Sequence, residues 1–324
     1  MATPHDSLVK RVFTVREDAI GELRSVLPPE IVQALDLDGL EVEEGSFVDP
    51  ALVQRHLDLL YSVPLKSGVG SAFVYVLFEH QSSDDPLMAF RMLAYMVRIW
   101  EKYLRDHEGA RELPVIVPLV LHHAEEGWRS ATTFHELFPA GLLSQPAWAG
   151  VVPSYRFLLD DVSVATDEEL RSRQLSEFAR VALWALRDAR FGRLERTLAA
   201  WSSVFSRLLE APGGPTAVRT IFCYIYEVRG IATAQALAAQ IPDPILREAA
   251  MTIAEQLRQE GRREGRQDGL REGLRSVVLK LLRLKFGELD DAVQARIAAA
   301  DEATLDRYAE RVLSADTLDA VLAD

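Results

Sequence analysis

The spacing of apolar positions changes along the chain, and the changes predict its elements. From Ser7 to Leu27 apolar residues recur at helical spacing. Leu57–Leu65 and Ala72–His80 are instead short runs rich in Leu, Val, Tyr and Phe, which predicts two strands. The segment Lys66-Ser67-Gly68-Val69-Gly70-Ser71 between them is a turn signal, so the runs form a hairpin. Pro64 argues for an edge position or an early end to the first strand. Asp85-Pro86 starts a helix, with Asp85 as N-cap and Pro86 at the first helical position, running to about Asp106. Pro114–His122 predicts a buried strand, and Tyr155–Leu159 another. Helix, strands, helix, strand is an α/β order and not a helical bundle.

From Thr166 the pattern becomes helical throughout. Thr166 and Glu169 have capping-box spacing, and Leu175, Phe178, Ala179, Ala182 and Leu186 keep one face. Gly192 is a terminator, and Ile241-Pro242 with Asp243-Pro244 marks a break. In EQLRQEGRREGRQDGLREGLR, glycine recurs every fourth residue at Gly261, Gly265, Gly269 and Gly273. Glu260, Glu264, Asp268 and Glu272 form a parallel acidic stripe. Each glycine weakens an isolated helix by about 1 kcal/mol relative to Ala. Such a helix is expected to have a partner, and a bare stripe permits close backbone approach. The expected organisation is an α/β domain over 1–161, a helical region over 162–250, the glycine-striped helix over 251–275 and a small helical domain over 276–324.

The hairpin carries the candidate chemistry. If Lys66 pairs with Ser71, Asp58 lies directly opposite Glu79 on one face of the sheet. Opposed carboxylates repel unless something neutralises them. Mg²⁺ prefers such oxygens and keeps waters for a phosphate substrate. Gln81, two residues beyond Glu79, points to the same face and is suited to orienting an attacking water. The alternatives are a solvated acidic face, or a register slipped by one residue that separates the two acids.

These residues also resemble a family. Asp58, a gap of about twenty residues, Glu79-His80-Gln81 at a strand end and then a helix look like the PD-(D/E)XK nuclease superfamily. More closely, the chain resembles the recombination-promoting nucleases, also called the YhgA-like transposase family. The matching stretches are Pro4–Lys10, Leu57–Tyr61, Val76–Ser83, Met88–Tyr95 and Leu113–His123, within roughly the first half of the chain. The resemblance implies a restriction-endonuclease-like mixed-sheet core followed by an all-α C-terminal half. It implies Mg²⁺- or Mn²⁺-dependent cleavage of DNA, linked to recombination or mobile elements. Asp58 and Glu79 match the family's metal-binding acids. Gln81 stands where the wider superfamily has Lys, and Leu57 where it has Pro before the first acid.

Further residues carry two readings each. Arg91, Arg98, Lys102 and Arg105 share one face of the helix after Glu79, and either contact phosphates or form a solvated basic face. Asp6 and Lys10 are one helical turn apart and match the family's start; either Asp6 supplies another acid near the metal, or the two form a helix cap or local ion pair. His122, His123 and His135 fit no common zinc spacing and are read as structural, with His122 near the site because it ends a core strand. Met88, Met92 and Met96, like Trp100 and Trp128, are read as packing residues. No Gly-x-Ser-x-Gly elbow or Walker loop is present.

The 324 residues carry 36 Lys and Arg against 49 Asp and Glu, a net charge of -13. That balance excludes bulk electrostatic coating of nucleic acid, but not a local basic stripe. With one cysteine, Cys223, no intramolecular disulfide forms. No apolar run approaches a membrane span and the start lacks a signal-peptide build, so a cytoplasmic protein is expected. The sequence thus predicts either a metal-dependent DNA endonuclease or a nuclease-fold regulator that binds DNA or protein, with homo-oligomerisation through the C-terminal helices.

Overall fold

The N-terminal helical pattern forms two helices, α1 (Pro4–Phe13) and α2 (Arg16–Val26), where one continuous helix was expected. The break falls at Thr14-Val15, a β-branched pair that loses rotamer freedom inside a helix. Thr14 turns its hydroxyl back onto the Lys10 carbonyl, 2.6 Å away. The computed structural model describes residues 3–43, 57–68, 71–79, 85–143, 145–148 and 150–323.

A short helix α3 (Pro29–Ala34) leads to strand β1 (Glu41–Val42), which no sequence signal announced. Then come β2 (Leu57–Pro64), β3 (Ser71–Glu79), α4 (Met88–Asp106), β4 (Val115–His122) and β5 (Leu158–Asp161). Among the described residues they form one five-stranded sheet in the order β1-β2-β3-β4-β5. The β1–β2 and β2–β3 pairs are antiparallel; β3–β4 and β4–β5 are parallel. This is the expected mixed sheet.

Strand periodicity sorts the two faces. Leu60, Phe73, Ile116, Val120 and Leu159 pack with α4, which buries Met88, Ala89, Met92, Tyr95, Met96 and Ile99 against them. The methionine stripe is therefore core. Truncating Met92 to Ala would cost about 2–5 kcal/mol by leaving a void. The other face carries Tyr61, whose buried hydroxyl donates to the Phe13 carbonyl at 2.7 Å and ties β2 to α1.

Two expected boundaries shift for local reasons. Helix α4 begins at Met88, not at Pro86, because Asp85 is spent on a turn. Its carboxylate accepts from the Leu87 N–H at 2.8 Å and its carbonyl from the Met88 N–H at 3.0 Å. Strand β5 begins at Leu158, not at Tyr155, because residues 155–157 pair elsewhere. Phe134 N–H donates to the Tyr155 carbonyl, and Phe157 N–H to that of Thr132.

The remaining helices are α5 (Asp167–Ser172), α6 (Glu177–Asp188), α7 (Leu194–Glu210), α8 (Gly214–Arg229), α9 (Ile231–Gln240) and α10 (Pro244–Phe286). Thr166 and Glu169 form the anticipated capping box on α5. Gly192 follows α6 with φ of 67°, a left-handed value that only glycine adopts at little cost.

The chain divides into two compact units, Met1–Ala254 and Glu255–Asp324. In the first, helices from 162–254 are joined to the N-terminal helices by buried polar bonds. Asp18 accepts from both the backbone and the hydroxyl of Ser176. Arg173 reaches Glu22 and, through two nitrogens, Asp160. In the second, Val278, Leu282 and Leu289 meet residues of α11 (Asp291–Ala299), α12 (Glu302–Ser314) and α13 (Leu318–Leu322) in a separate core. The glycine-striped segment is continuous α10 helix, and a Cβ added at Gly265, Gly269 or Gly273 would meet open space.

Candidate active site

The hairpin register differs from the expected one by two residues. Pro64, not Lys66, pairs with Ser71, so Asp58 lies opposite Leu77 and not opposite Glu79. The cause lies outside the hairpin. Leu65 leaves the ladder to bridge Leu35, and the Lys66 N–H donates to the Ala34 carbonyl at 3.0 Å. On the other side, the Asp36 N–H donates to the Pro64 carbonyl at 2.8 Å. The strand end is captured before it can pair further with β3.

A two-residue shift preserves the face, because the side-chain period is two. Positions 58 and 79 are therefore diagonal neighbours, one pleat repeat apart along β3. Diagonal positions on one face are typically about 7–8 Å apart, within reach of long side chains. The side chains of Asp58 and Glu79 lie outside the described set, as does Gln81 entirely. Among the described residues, no group of three or more His, Cys, Asp or Glu is placed to hold a metal ion. The donor chemistry at positions 58 and 79, two carboxylates, suits Mg²⁺ or Mn²⁺ better than softer ions.

Two further positions extend the row on the same face. Glu79 is the direct partner of His122 in β4, and His122 that of Asp161 in β5. His122 is buried, with its ring edge-on to Trp128 at 5.0 Å. Asp161 is committed to structure: it accepts from the Trp128 N–H at 2.7 Å and the Ser163 N–H at 3.1 Å. Sequence had set His122 near the site as the end of a core strand. Asp161 carried no signal.

Helix α4 starts at this end of the sheet and runs back toward the start of β4, where the Trp100 indole N–H donates to the Pro114 carbonyl at 2.9 Å. Arg91 thus stands in its first turns, held by the Asp85 carboxylate at 2.6 Å with both side chains 21% exposed. Arg98 pairs with Glu101 at 2.8 Å and Lys102 with Asp106 at 2.7 Å, as on a solvated helix face. The Lys102 ammonium holds the Asp106 carboxyl below its usual range.

Asp6 caps α1 in a reciprocal box with Thr3, accepting from the Thr3 N–H at 3.0 Å; Lys10 is exposed. The α1 start nevertheless lies at the same end of the sheet as Glu79. The ring of His5 is 4.8 Å from that of His123, which follows β4 directly, and His5 Nδ1 shares a 2.8 Å hydrogen bond with the Tyr224 hydroxyl.

Burial and charge produce a strong electrostatic departure elsewhere, on the opposite face. Desolvation, aided by the nearby Asp160 carboxylate, pushes the Glu22 carboxyl well above its ordinary range, against the pull of Arg173. Sequence reasoning missed this cluster, since Glu22 and Arg173 are 151 residues apart.

A family profile described as "Putative transposase, YhgA-like" matches residues 3–212. The chain belongs to the YhgA-like transposase family. Among curated relatives, the recombination-promoting nuclease RpnD of Escherichia coli O157:H7 is 34% identical over 170 residues, 52% of this chain and 62% of that protein. RpnA of E. coli strain K12 is 29% identical over 264 residues, covering 80% of this chain and 85% of that relative. A third relative is named an inactive recombination-promoting nuclease-like protein, RpnE, also of strain K12. It is 26% identical over 288 residues, 88% of this chain and 91% of its own length. No solved structure matches. The curated relatives thus include proteins named as nucleases and others whose names call them inactive. Among the described residues no helix is long and apolar enough to cross a membrane.

Proposed function

We propose that this YhgA-like chain is a metal-dependent DNA endonuclease acting in recombination or on mobile elements. The observation that carries the reading is the register: positions 58 and 79 fall on one face, at the sheet end from which α4 departs. The names of RpnD and RpnA, recombination-promoting nucleases, support it. Asp58 and Glu79 would hold the ion; Asp6, on α1 at the same end of the sheet, is a further candidate acid, and Lys10 a candidate phosphate contact. A bound divalent ion supplies charge stabilisation at the phosphorus and a more acidic water. Gln81 orients that water, and Arg91 binds a phosphate oxygen beside the scissile bond. Hydrolysis there would form one P–O bond from water and break one P–O ester bond, with the proton the water loses balanced by the one the leaving oxygen gains.

The test is cleavage of plasmid DNA by the purified chain with Mg²⁺, with Mn²⁺ and with EDTA. Cutting that needs the ion and disappears in Asp58→Ala and Glu79→Ala supports the proposal. Cutting that persists in both variants overturns the assignment of the site.

A second reading is a nuclease-fold regulator without catalysis. RpnE, named inactive, favours it, as does Gln81, which cannot bring the positive charge of a lysine to the transition state. Calorimetry with Mg²⁺ separates the readings: no heat of binding to the folded chain, and no cutting, would favour the regulator.

A further inference from the structure

Helix α4 has two outward rows. One is apolar: Phe90, Val97 and Leu104 recur every seventh residue and are 56%, 42% and 44% exposed, although α4 buries a full stripe on its other side. Leu87, also 56% exposed, heads the helix. The other row is basic: Arg91, Arg98, Lys102 and Arg105 lie along the flank of the helix, about 100° in rotation from the apolar row. Four basic residues against Glu101 and Asp106 make α4 a locally cationic element in a chain of net charge -13.

We propose that the outward face of α4 is the track for an unpaired DNA strand, with Phe90 as its base-stacking platform. The proposal rests on the nuclease reading for its place in a reaction, but not for its binding test. A duplex hides its base faces and presents phosphates, so a basic row alone would serve it. An exposed aromatic and aliphatic row alongside is what exposed bases require: cations follow the backbone while side chains stack under the bases. Phe90 sits in the first turn of α4, next to Arg91 and at the sheet end that carries Glu79. A strand laid along the 19-residue helix, roughly 28 Å long, would run toward that end.

A second copy of this chain is the competing occupant. An apolar seam between two copies would bury Arg98 and Glu101, an exposed ion pair, and its desolvation works against such packing. Glu101 lies on the apolar row between Val97 and Leu104, and a polyanion laid there leaves it paired with Arg98, whose guanidinium 2.8 Å away offsets its charge.

Fluorescence anisotropy in EDTA, with a labelled oligo-dT and a duplex of equal length, tests this without any cutting. The full chain is expected to bind the single strand more tightly than the duplex. Phe90→Ala should weaken single-strand binding by about tenfold or more, and Phe90→Trp should restore it. Duplex binding should change little in either variant. Arg98→Ala and Arg105→Ala should weaken both ligands and each reduce the salt dependence by about one counterion. Unchanged single-strand binding in Phe90→Ala overturns the proposal. So does a parent chain that sediments as a dimer and becomes monomeric in that variant. Cleavage that depends on Asp58 but not on Phe90 would leave the nuclease reading standing and remove this one. Binding of oligo-dT that depends on Phe90, without any cleavage, would do the reverse.

Discussion

Glu79 and His122 are direct register partners in the parallel β3–β4 pair, on the face that α4 covers. An imidazole position therefore neighbours the candidate metal acid, although 43 residues separate the two in sequence. Replacing His122 by Phe keeps an aromatic edge for Trp128 and preserves the fold. If His122 orders the candidate site, ion affinity should fall by about 10–100-fold, as for outer-shell partners of metal ligands. Mg²⁺ titration of the two folded proteins checks this; equal affinities would assign His122 to packing alone.

The register itself is open to chemical test. Asp58 and Leu77 are paired, so the double variant Asp58→Cys, Leu77→Cys should close a disulfide on mild oxidation. Asp58→Cys with Glu79→Cys should close one far less readily, since the two are offset by one pleat repeat. Mass spectrometry after oxidation decides, and the reverse order would restore the pairing of Lys66 with Ser71.

Arg173 is a cation shared by two buried carboxyl groups, Glu22 and Asp160, with its own side chain only 11% exposed. Removing it strands charge in the interior, so Arg173→Met should destabilise the first unit by about 3–5 kcal/mol. Denaturant unfolding measures the loss. A cost under about 1 kcal/mol would mean that water reaches the acids and screens them.

Glu22 gives a pH signature whose sign follows from its raised carboxyl. The folded chain holds a proton that the unfolded chain releases above its ordinary value of 4.5. Stability is fully supported below that value and declines as pH rises toward the folded-state pKa. Glu22→Gln removes the titration, so its stability should be flatter with pH and should gain on the parent in alkaline buffer. Parallel slopes for the two proteins between about pH 5 and pH 8 would contradict the assignment.

Gly269 sits in α10 with open space where a side chain would go. Gly269→Ala should raise helicity and stabilise α10 by up to about 1 kcal/mol. If the glycine stripe instead receives another helix, as homo-oligomerisation through the C-terminal helices would have it, the same change should weaken self-association in sedimentation.

Elements with a dense local signal were legible in the sequence. Val115–His122 is a continuous apolar run, and it forms a buried interior strand, paired on both sides. The α4 stripe follows from its methionines, and α5 from Thr166 and Glu169. The face shared by positions 58 and 79 was also legible, because strand parity survives a two-residue error. Features set by distant backbone were not. Nothing in residues 57–80 announces that Leu35 will intercept Leu65, and nothing in Tyr155–Phe157 announces residues 132–134 as partners. The Glu22–Asp160–Arg173 cluster was hidden for the same reason, since charged residues far apart in sequence give no periodic signal.

The capture of the β2 end by residues 34–36 has one last consequence. The register of the two acid-bearing strands is fixed where β2 enters the turn, by backbone outside the hairpin. Insertions or deletions within 67–70 should then leave the candidate acids in step. A lesion at Leu35, well away from them, could let the strands slide by a notch.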